Sequence, residues 1–275
     1  MILTVAAIQM TSTDSLDGNF RQLEVLLAEA ARDQVRLAVL PENFAVFGAP
    51  RQQVTAEQLP DILSRLSESC RRHGLWIVAG SIPCLTRPDG NPVSDGRVRS
   101  ACFVLDEAGH VRGRYDKIHL FDVDVADQQA SYRESAVFEP GTEVVTVETP
   151  WGRLGLAICY DLRFPELFLA LRQAGADVLV LPAAFTAHTG AAHWEVLLRA
   201  RAIETQCYLI AAGQAGRHSP LRETWGHSMI VDPWGRVAAS RPEPTPGMVS
   251  AVCDLDEMLK MRNSMPLLSH RRLSY

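Results

Sequence analysis

Leu154-Gly155-Leu156-Ala157-Ile158-Cys159-Tyr160-Asp161-Leu162-Arg163-Phe164-Pro165-Glu166 reads as an apolar strand, a turn and the opening of a helix. The run 154–158 has strand length. Pro165 is tolerated in the first turn of a helix expected over 164–174. A strand passing directly into a helix is the working unit of an α/β chain.

The same alternation extends outward in both directions. Residues 3–8, 37–40, 75–82 and 178–181 are short apolar runs with turn-type flanks. Between them, 19–31 carries Leu23, Val25, Leu26 and Leu27 at helical spacing, and 56–72 carries Leu59, Ile62, Leu63 and Leu66. Near-continuous apolar strands separated by helices predict strands covered by helices, with some parallel neighbours. In the middle, 97–106 and 110–118 alternate and are joined by Glu107-Ala108-Gly109, a hairpin signal. A helix over 191–205 and strands over 209–212 and 229–231 follow. The stretches 88–96 and 242–247 read as surface loops. Neither marks a domain boundary, because the pattern resumes on both sides. The expectation is one α/β domain over 1–275, with mixed sheets and helices outside.

Composition narrows the class of function. With 47% hydrophobic and 21% charged residues in 275, the chain has the make-up of a folded enzyme-sized protein. A formal charge of -5 gives no electrostatic reason to expect nucleic acid or an anionic membrane as partner. The start, Met1-Ile2-Leu3-Thr4-Val5-Ala6-Ala7-Ile8, reads as a first strand rather than a secretory signal. No run reaches the roughly 18 apolar residues of a spanning helix, and a cytoplasmic location is expected. Cys70, Cys84, Cys102, Cys159, Cys207 and Cys253 have neither C-x-x-C nor zinc-ligand spacing, so free thiols and no structural metal are expected.

Three positions attract chemistry, each with an ordinary competitor. Cys159 sits at the strand-to-helix turn, where helix-start amides favour a thiolate and the Tyr160 N–H can face a developing oxyanion. It equally suits a small buried hydrophobe. Glu42 follows Ala38-Val39-Leu40-Pro41, at the strand end where ligands collect in open α/β sheets. A poorly solvated carboxylate there can act as a base, or it is a loop or helix-capping glutamate. Lys117, in Arg114-Tyr115-Asp116-Lys117-Ile118-His119-Leu120-Phe121, points opposite Asp116 and Ile118 on a continuing strand. It either stabilises negative charge in a cleft or is a surface lysine. His119, His188, His193 and His227 stay open as rival partners for a thiol.

Taken in order, Leu40-Pro41-Glu42, Tyr115-Asp116-Lys117-Ile118-His119-Leu120-Phe121 and Ala157-Ile158-Cys159-Tyr160-Asp161-Leu162-Arg163-Phe164-Pro165-Glu166 resemble the Glu-Lys-Cys segments of the nitrilase superfamily of carbon–nitrogen hydrolases. The ordered set is specific where each piece alone is not. The likeness runs from Ala6-Ala7-Ile8-Gln9-Met10 to Met265-Pro266-Leu267-Leu268-Ser269-His270-Arg271-Arg272. The run from His193 to Gln206, together with Gly226-His227-Ser228-Met229-Ile230-Val231-Asp232-Pro233-Trp234-Gly235, is similar to the Nit-type branch and its deaminated glutathione amidases.

The resemblance implies a four-layer α-β-β-α sandwich that forms a homodimer or higher homo-oligomer and needs no metal or organic cofactor. It implies Cys159 as nucleophile, Glu42 as general base and Lys117 as stabiliser of the tetrahedral intermediate. Glu134 would be a second glutamate beside them, in competition with a surface carboxylate paired to Arg133. The implied substrate is a small amide: deaminated glutathione, cleaved to 2-oxoglutarate and cysteinylglycine, or 2-oxoglutaramate in an ω-amidase. A reading of another class is a catalytically inactive interaction protein on the same fold. Arg163 is a candidate carboxylate ligand through its planar guanidinium, or a surface arginine at a helix start. One position departs from the resemblance: Asp116 stands where a basic residue is expected beside the lysine. On a strand it faces away from Lys117, so the expected effect is on the local field and the pull on an acidic substrate.

Overall fold

The computed structural model describes residues 1–48, 52–127 and 129–273. The N-terminal part supplies β1 (Ile2–Gln9), α1 (Leu16–Arg32), β2 (Leu37–Val39), α2 (Gln52–Glu57), α3 (Leu59–His73), β3 (Trp76–Val78), β4 (Ile82–Cys84), β5 (Arg99–Leu105) and β6 (Val111–Asp116). A ribbon of β7 (Asp122–Asp124) and β8 (Ser131–Arg133) follows. Next come β9 (Thr146–Thr149), β10 (Gly152–Leu156), α4 (Pro165–Gln173), β11 (Val178–Ala183), α5 (Ala187–Thr205) and β12 (Tyr208–Gly213). A second ribbon, β13 (Ala215–Arg217) with β14 (Glu223–Trp225), precedes β15 (Ser228–Val231), β16 (Val237–Arg241), β17 (Gly247–Asp254), α6 (Leu255–Ser264) and α7 (Leu267–His270).

Among the described residues these strands build two main sheets. One runs β17-β1-β2-β3-β5-β4, with β6 also paired to β5; the other runs β16-β15-β12-β11-β10-β9. The pairs β1–β2, β2–β3, β10–β11 and β11–β12 are parallel. Period-two alternation explains why the sheets stack. Leu3, Val5 and Ala7 of β1, with Leu37 and Val39 of β2, enter a core shared with Leu154, Leu156, Val178 and Val180 of the other sheet. The intervening Ala6, Ile8 and Ala38 face the opposite way, onto Phe20, Leu23 and Leu27 of α1 and Ile62 and Leu66 of α3. Leu167, Phe168 and Leu171 of α4 and Trp194 and Leu198 of α5 pack on the second sheet. The layers are therefore helix, sheet, sheet, helix, as the α-β-β-α expectation requires. Each of the buried Leu, Ile, Val and Phe side chains contributes about 1.5–3 kcal/mol by leaving water.

Local signals fix the ends of the elements. Ser15 caps α1 by accepting from the Gly18 N–H, and Thr186 caps α5 by accepting from Thr189. That cap starts α5 at Ala187, earlier than the apolar spacing predicts. Two expectations break. The helix expected over 56–72 divides at Gln58 into α2 and α3. The strand expected over 75–82 ends at Val78, turns at Gly80, whose φ is +48°, and resumes as β4. A Cβ at Gly80 would overlap the Pro41 carbonyl, so the glycine permits the loop carrying Glu42 to pack against the turn.

Candidate active site

Glu42 lies just past β2 and Cys159 just past β10, both at the C-terminal ends of strands with parallel neighbours. Lys117 follows β6; its backbone still bonds the sheet, with its N–H donating to the Ser100 carbonyl at 2.9 Å. Glu134 opens a short 3₁₀ turn after β8. These separate stretches meet. Lys117 Nζ donates to Glu42 Oε1 at 2.8 Å and to Glu134 Oε1 and Oε2 at 2.8 and 2.9 Å. Glu134 is held from behind by the Phe121 N–H at 2.6 Å. Lys117, Glu42 and Cys159 are only 2%, 5% and 8% exposed, which removes the surface-lysine and loop-glutamate readings. Glu134 pairs with Lys117 rather than with Arg133, which goes to Asp124.

The thiol is set by a strained turn. Ile158 is extended and Cys159 has φ +49°, in the left-handed region that a side chain enters only under constraint. The constraint is Asp161, which is fully buried. Its Oδ2 accepts from the Ile158 N–H at 2.8 Å and from the Tyr115 hydroxyl at 2.7 Å. Its Oδ1 accepts from the His119 N–H at 3.1 Å and lies 2.7 Å from His119 Nδ1. His119 also stacks on Phe164, with centroids 3.7 Å apart. It is thereby a brace for the turn, with its Nδ1 and backbone N–H both committed to Asp161. His193 contacts Arg163, and His227 stacks on Trp225.

Electrostatics divides the work. Burial pushes the Cys159 thiol well above its usual range, the Glu42 charge adds to this, and Lys117 only partly opposes it. Sequence reasoning expected helix-start amides to favour the thiolate; the structure corrects that, because the turn is 3₁₀ and the acid partner is close enough to hydrogen-bond the thiol. Burial alone pulls Lys117 down, but Glu134 and Glu42 together hold it well above the ordinary lysine range. Burial raises Glu134 against the pull of Lys117. Asp116 faces Arg114 at 2.7 Å and Arg99 at 3.9 Å. Those two guanidiniums absorb its charge, away from the pocket walls. The pocket over the thiol has a volume of about 390 Å³ and is also lined by Tyr160, Arg163, Phe185 and Thr189.

This arrangement can be set beside known proteins. The Carbon-nitrogen hydrolase family model matches residues 4–263. The chain belongs to that family. This carbon–nitrogen hydrolase is 41% identical over 98% of its length to a deaminated glutathione amidase of Yersinia enterocolitica, covering 92% of the relative. It is 42% identical to the one from Homo sapiens, covering 98% of this chain and 82% of that one. Among solved structures it superposes on Saccharomyces cerevisiae Nit3, a member of branch 10 of the nitrilase superfamily, with a TM-score of 0.82 at 26% identity, covering 99% and 97% of the two chains. On the Caenorhabditis elegans NitFhit protein the TM-score is 0.87 at 38% identity, covering 98% of this chain and 65% of that one.

Several pocket residues of this carbon–nitrogen hydrolase escape sequence reading. Phe47, Tyr132, His218 and Arg222 line the same cavity, yet none sits in a recognisable motif. His218 and Arg222 come from Arg217-His218-Ser219-Pro220-Leu221-Arg222, a turn-like stretch with no periodicity. Asp161 and Tyr115 lie in the segments that carry Cys159 and Lys117, but nothing in their spacing says that they bond each other. Among the described residues no group of three or more His, Cys, Asp or Glu is placed to hold a metal ion, and no helix is long and apolar enough to cross a membrane.

Proposed function

We propose that the chain is a cysteine-dependent amidase that cleaves deaminated glutathione to 2-oxoglutarate and cysteinylglycine. The observation that carries this reading is the buried Glu42–Lys117–Glu134 ion network against the Cys159 thiol, at the floor of a pocket with cationic walls. The relatives named for that substrate support the choice. An inactive interaction protein would have no reason to bury these three charges together, which costs several kcal/mol per ion before pairing repays it.

Glu42 takes the thiol proton as sulfur attacks the amide carbonyl, so a permanently charged thiolate is not needed. The carbonyl oxygen becomes an oxyanion that Lys117 and the Tyr160 N–H stabilise, each donor being worth about 3 kcal/mol. Glu42 returns its proton to the leaving nitrogen, the C–N bond breaks, and a thioester remains on Cys159. Water then attacks the thioester while Glu42 accepts its proton. The carboxylic acid leaves and the thiol is restored. Glu134 keeps Lys117 charged and aimed.

Arg163 is the proposed carboxylate ligand. It stands over the Tyr160 and Phe185 rings, at 5.8 and 5.3 Å to the centroids, and enters no ion pair among the described residues. All six cysteines are free, as a reducing compartment requires, which supports a cytoplasmic location. A homodimer or larger homo-oligomer remains the assembly to test.

A panel of deaminated glutathione, 2-oxoglutaramate, simple amides and nitriles, compared by kcat/KM, tests the substrate. Deaminated glutathione should be preferred by tenfold or more, on the order of 1.4 kcal/mol. A preference for 2-oxoglutaramate makes the protein an ω-amidase instead, and preference for a nitrile contradicts the amidase reading.

A further inference from the structure

Arg222 is the pocket charge that amide chemistry leaves unused. It lies between β13 and β14, where its Nη2 donates to the Ala184 carbonyl at 2.9 Å. Its guanidinium carbon is 5.8 Å from the Phe47 ring centroid and 4.9 Å from that of Tyr132. Nη1 is shut off from solvent and finds no hydrogen-bond partner of acceptable geometry among the described residues. The Tyr132 hydroxyl, which donates to Asp127 at 2.8 Å, lies beside the guanidinium and shares it, but it is neutral and leaves the positive charge unpaired. No carboxylate of the described residues forms an ion pair with it.

A buried donor without an acceptor costs free energy, more so when charged. Such a group is expected where a ligand brings the acceptor. The other cations at this pocket are accounted for. Lys117 is shared by Glu42 and Glu134, and Arg133 is paired with Asp124. His218, beside Arg222, contributes no charge near neutral pH. Burial lowers it to about 4, and its ring nitrogens contact the Ser12 carbonyl and Thr224 Oγ1 at 2.8 and 2.7 Å. Only Arg163 and Arg222 remain. Arg163 belongs to the nucleophile's own turn, Cys159–Arg163, which suits the acyl part of a substrate held at sulfur. Arg222 comes from a different loop and rests on Ala184, whose backbone also bonds the thiol.

We propose that Arg222 is a second carboxylate anchor: it binds the terminal carboxylate of a peptide-like leaving amine while Arg163 binds the carboxylate of the acyl part. This rests on the amidase reading above and names the substrate class as amides carrying an acid on each side of the scissile bond. It also assigns the preference for a peptide amine over ammonia to one side chain, because a planar guanidinium grips a carboxylate bidentately.

The test compares kcat/KM for deaminated glutathione, for its C-terminal amide and for 2-oxoglutaramate, in wild type, Arg222→Met and Arg222→Lys. In the wild type, amidating the terminal carboxylate should lower kcat/KM by about 30-fold, the size of a charge-assisted bond. Arg222→Met should lower the ratio of deaminated glutathione to 2-oxoglutaramate by a similar factor, and Arg222→Lys should restore part of it. Wild type that treats acid and C-terminal amide alike overturns the anchor, whatever becomes of the variants. So does an unchanged ratio in Arg222→Met. If the wild type cleaves neither deaminated glutathione nor 2-oxoglutaramate, the amidase reading itself falls, and the anchor with it.

Discussion

Lys117 holds a full positive charge where almost no water reaches, and it does so because Glu42 and Glu134 each lie 2.8 Å away. Removing that charge strands two carboxylates. Lys117→Met should cost about 3 kcal/mol of stability in urea unfolding at pH 7. The cost should shrink as the pH is lowered. Burial already raises Glu134 against the pull of Lys117, and without the cation that rise is unopposed, so stability is present at low pH and lost as pH rises through it. His218 gives the opposite sign. Its folded pKa is lowered from 6.5 to about 4, so the unfolded chain binds the proton first and stability falls as pH drops through that window. The fall should be on the order of 2 kcal/mol, allowing for partial solvent access. His218→Gln should flatten this part of the stability-against-pH curve; an unaltered slope would assign it elsewhere. At this scale the sequence made the nucleophile, base and lysine legible through ordered motifs. It could not show His218 or Arg222, since a residue in a short irregular loop carries no periodicity to read.

Elements matter here through where they stop. β2, β6 and β10 end beside one another, and the side chains just beyond their ends form the site. Gly80, in the turn after β3, supports one of those endings by packing under the loop that follows β2 and carries Glu42. Gly80→Ala should therefore lower stability by about 2 kcal/mol, combining a left-handed φ with a backbone clash. It should also cut kcat more than tenfold by displacing Glu42, as comparison of folded fractions and steady-state rates would show. A loss of stability with undiminished kcat would mean that the turn does not position the base. Elements with long apolar runs, such as β1, β11 and β12, were legible as strands. β17 was not: Gly247-Met248-Val249-Ser250-Ala251-Val252-Cys253-Asp254 mixes small, polar and apolar residues, and only its eight-residue register against β1 makes it a strand.

At the scale of the molecule, the two sheets stack because alternate residues of β1 and β2 are apolar on both faces, and helices close each outer side. Leu37, fully buried between the sheets, should cost about 3 kcal/mol as Leu37→Ala. Val25 appears in the apolar spacing of α1 yet is 67% exposed, and Val25→Ser should change stability by only about 0.5 kcal/mol. Equal losses at both positions in denaturant melts would contradict the layering. The layered class followed from alternating strand and helix patterns; the division into two sheets did not, because strand order depends on pairings between distant residues such as β5 with β3 and β4.

Turnover in the proposed mechanism requires an acyl group to pass through Cys159. Rapid quenching of the wild-type enzyme during turnover of deaminated glutathione, followed by intact-mass and peptide mass spectrometry, tests this directly. The predicted result is a 2-oxoglutaryl adduct confined to the Cys159 peptide and missing from Cys159→Ala. Product formation by Cys159→Ala at the wild-type rate, or an adduct on another of the six cysteines, would contradict it.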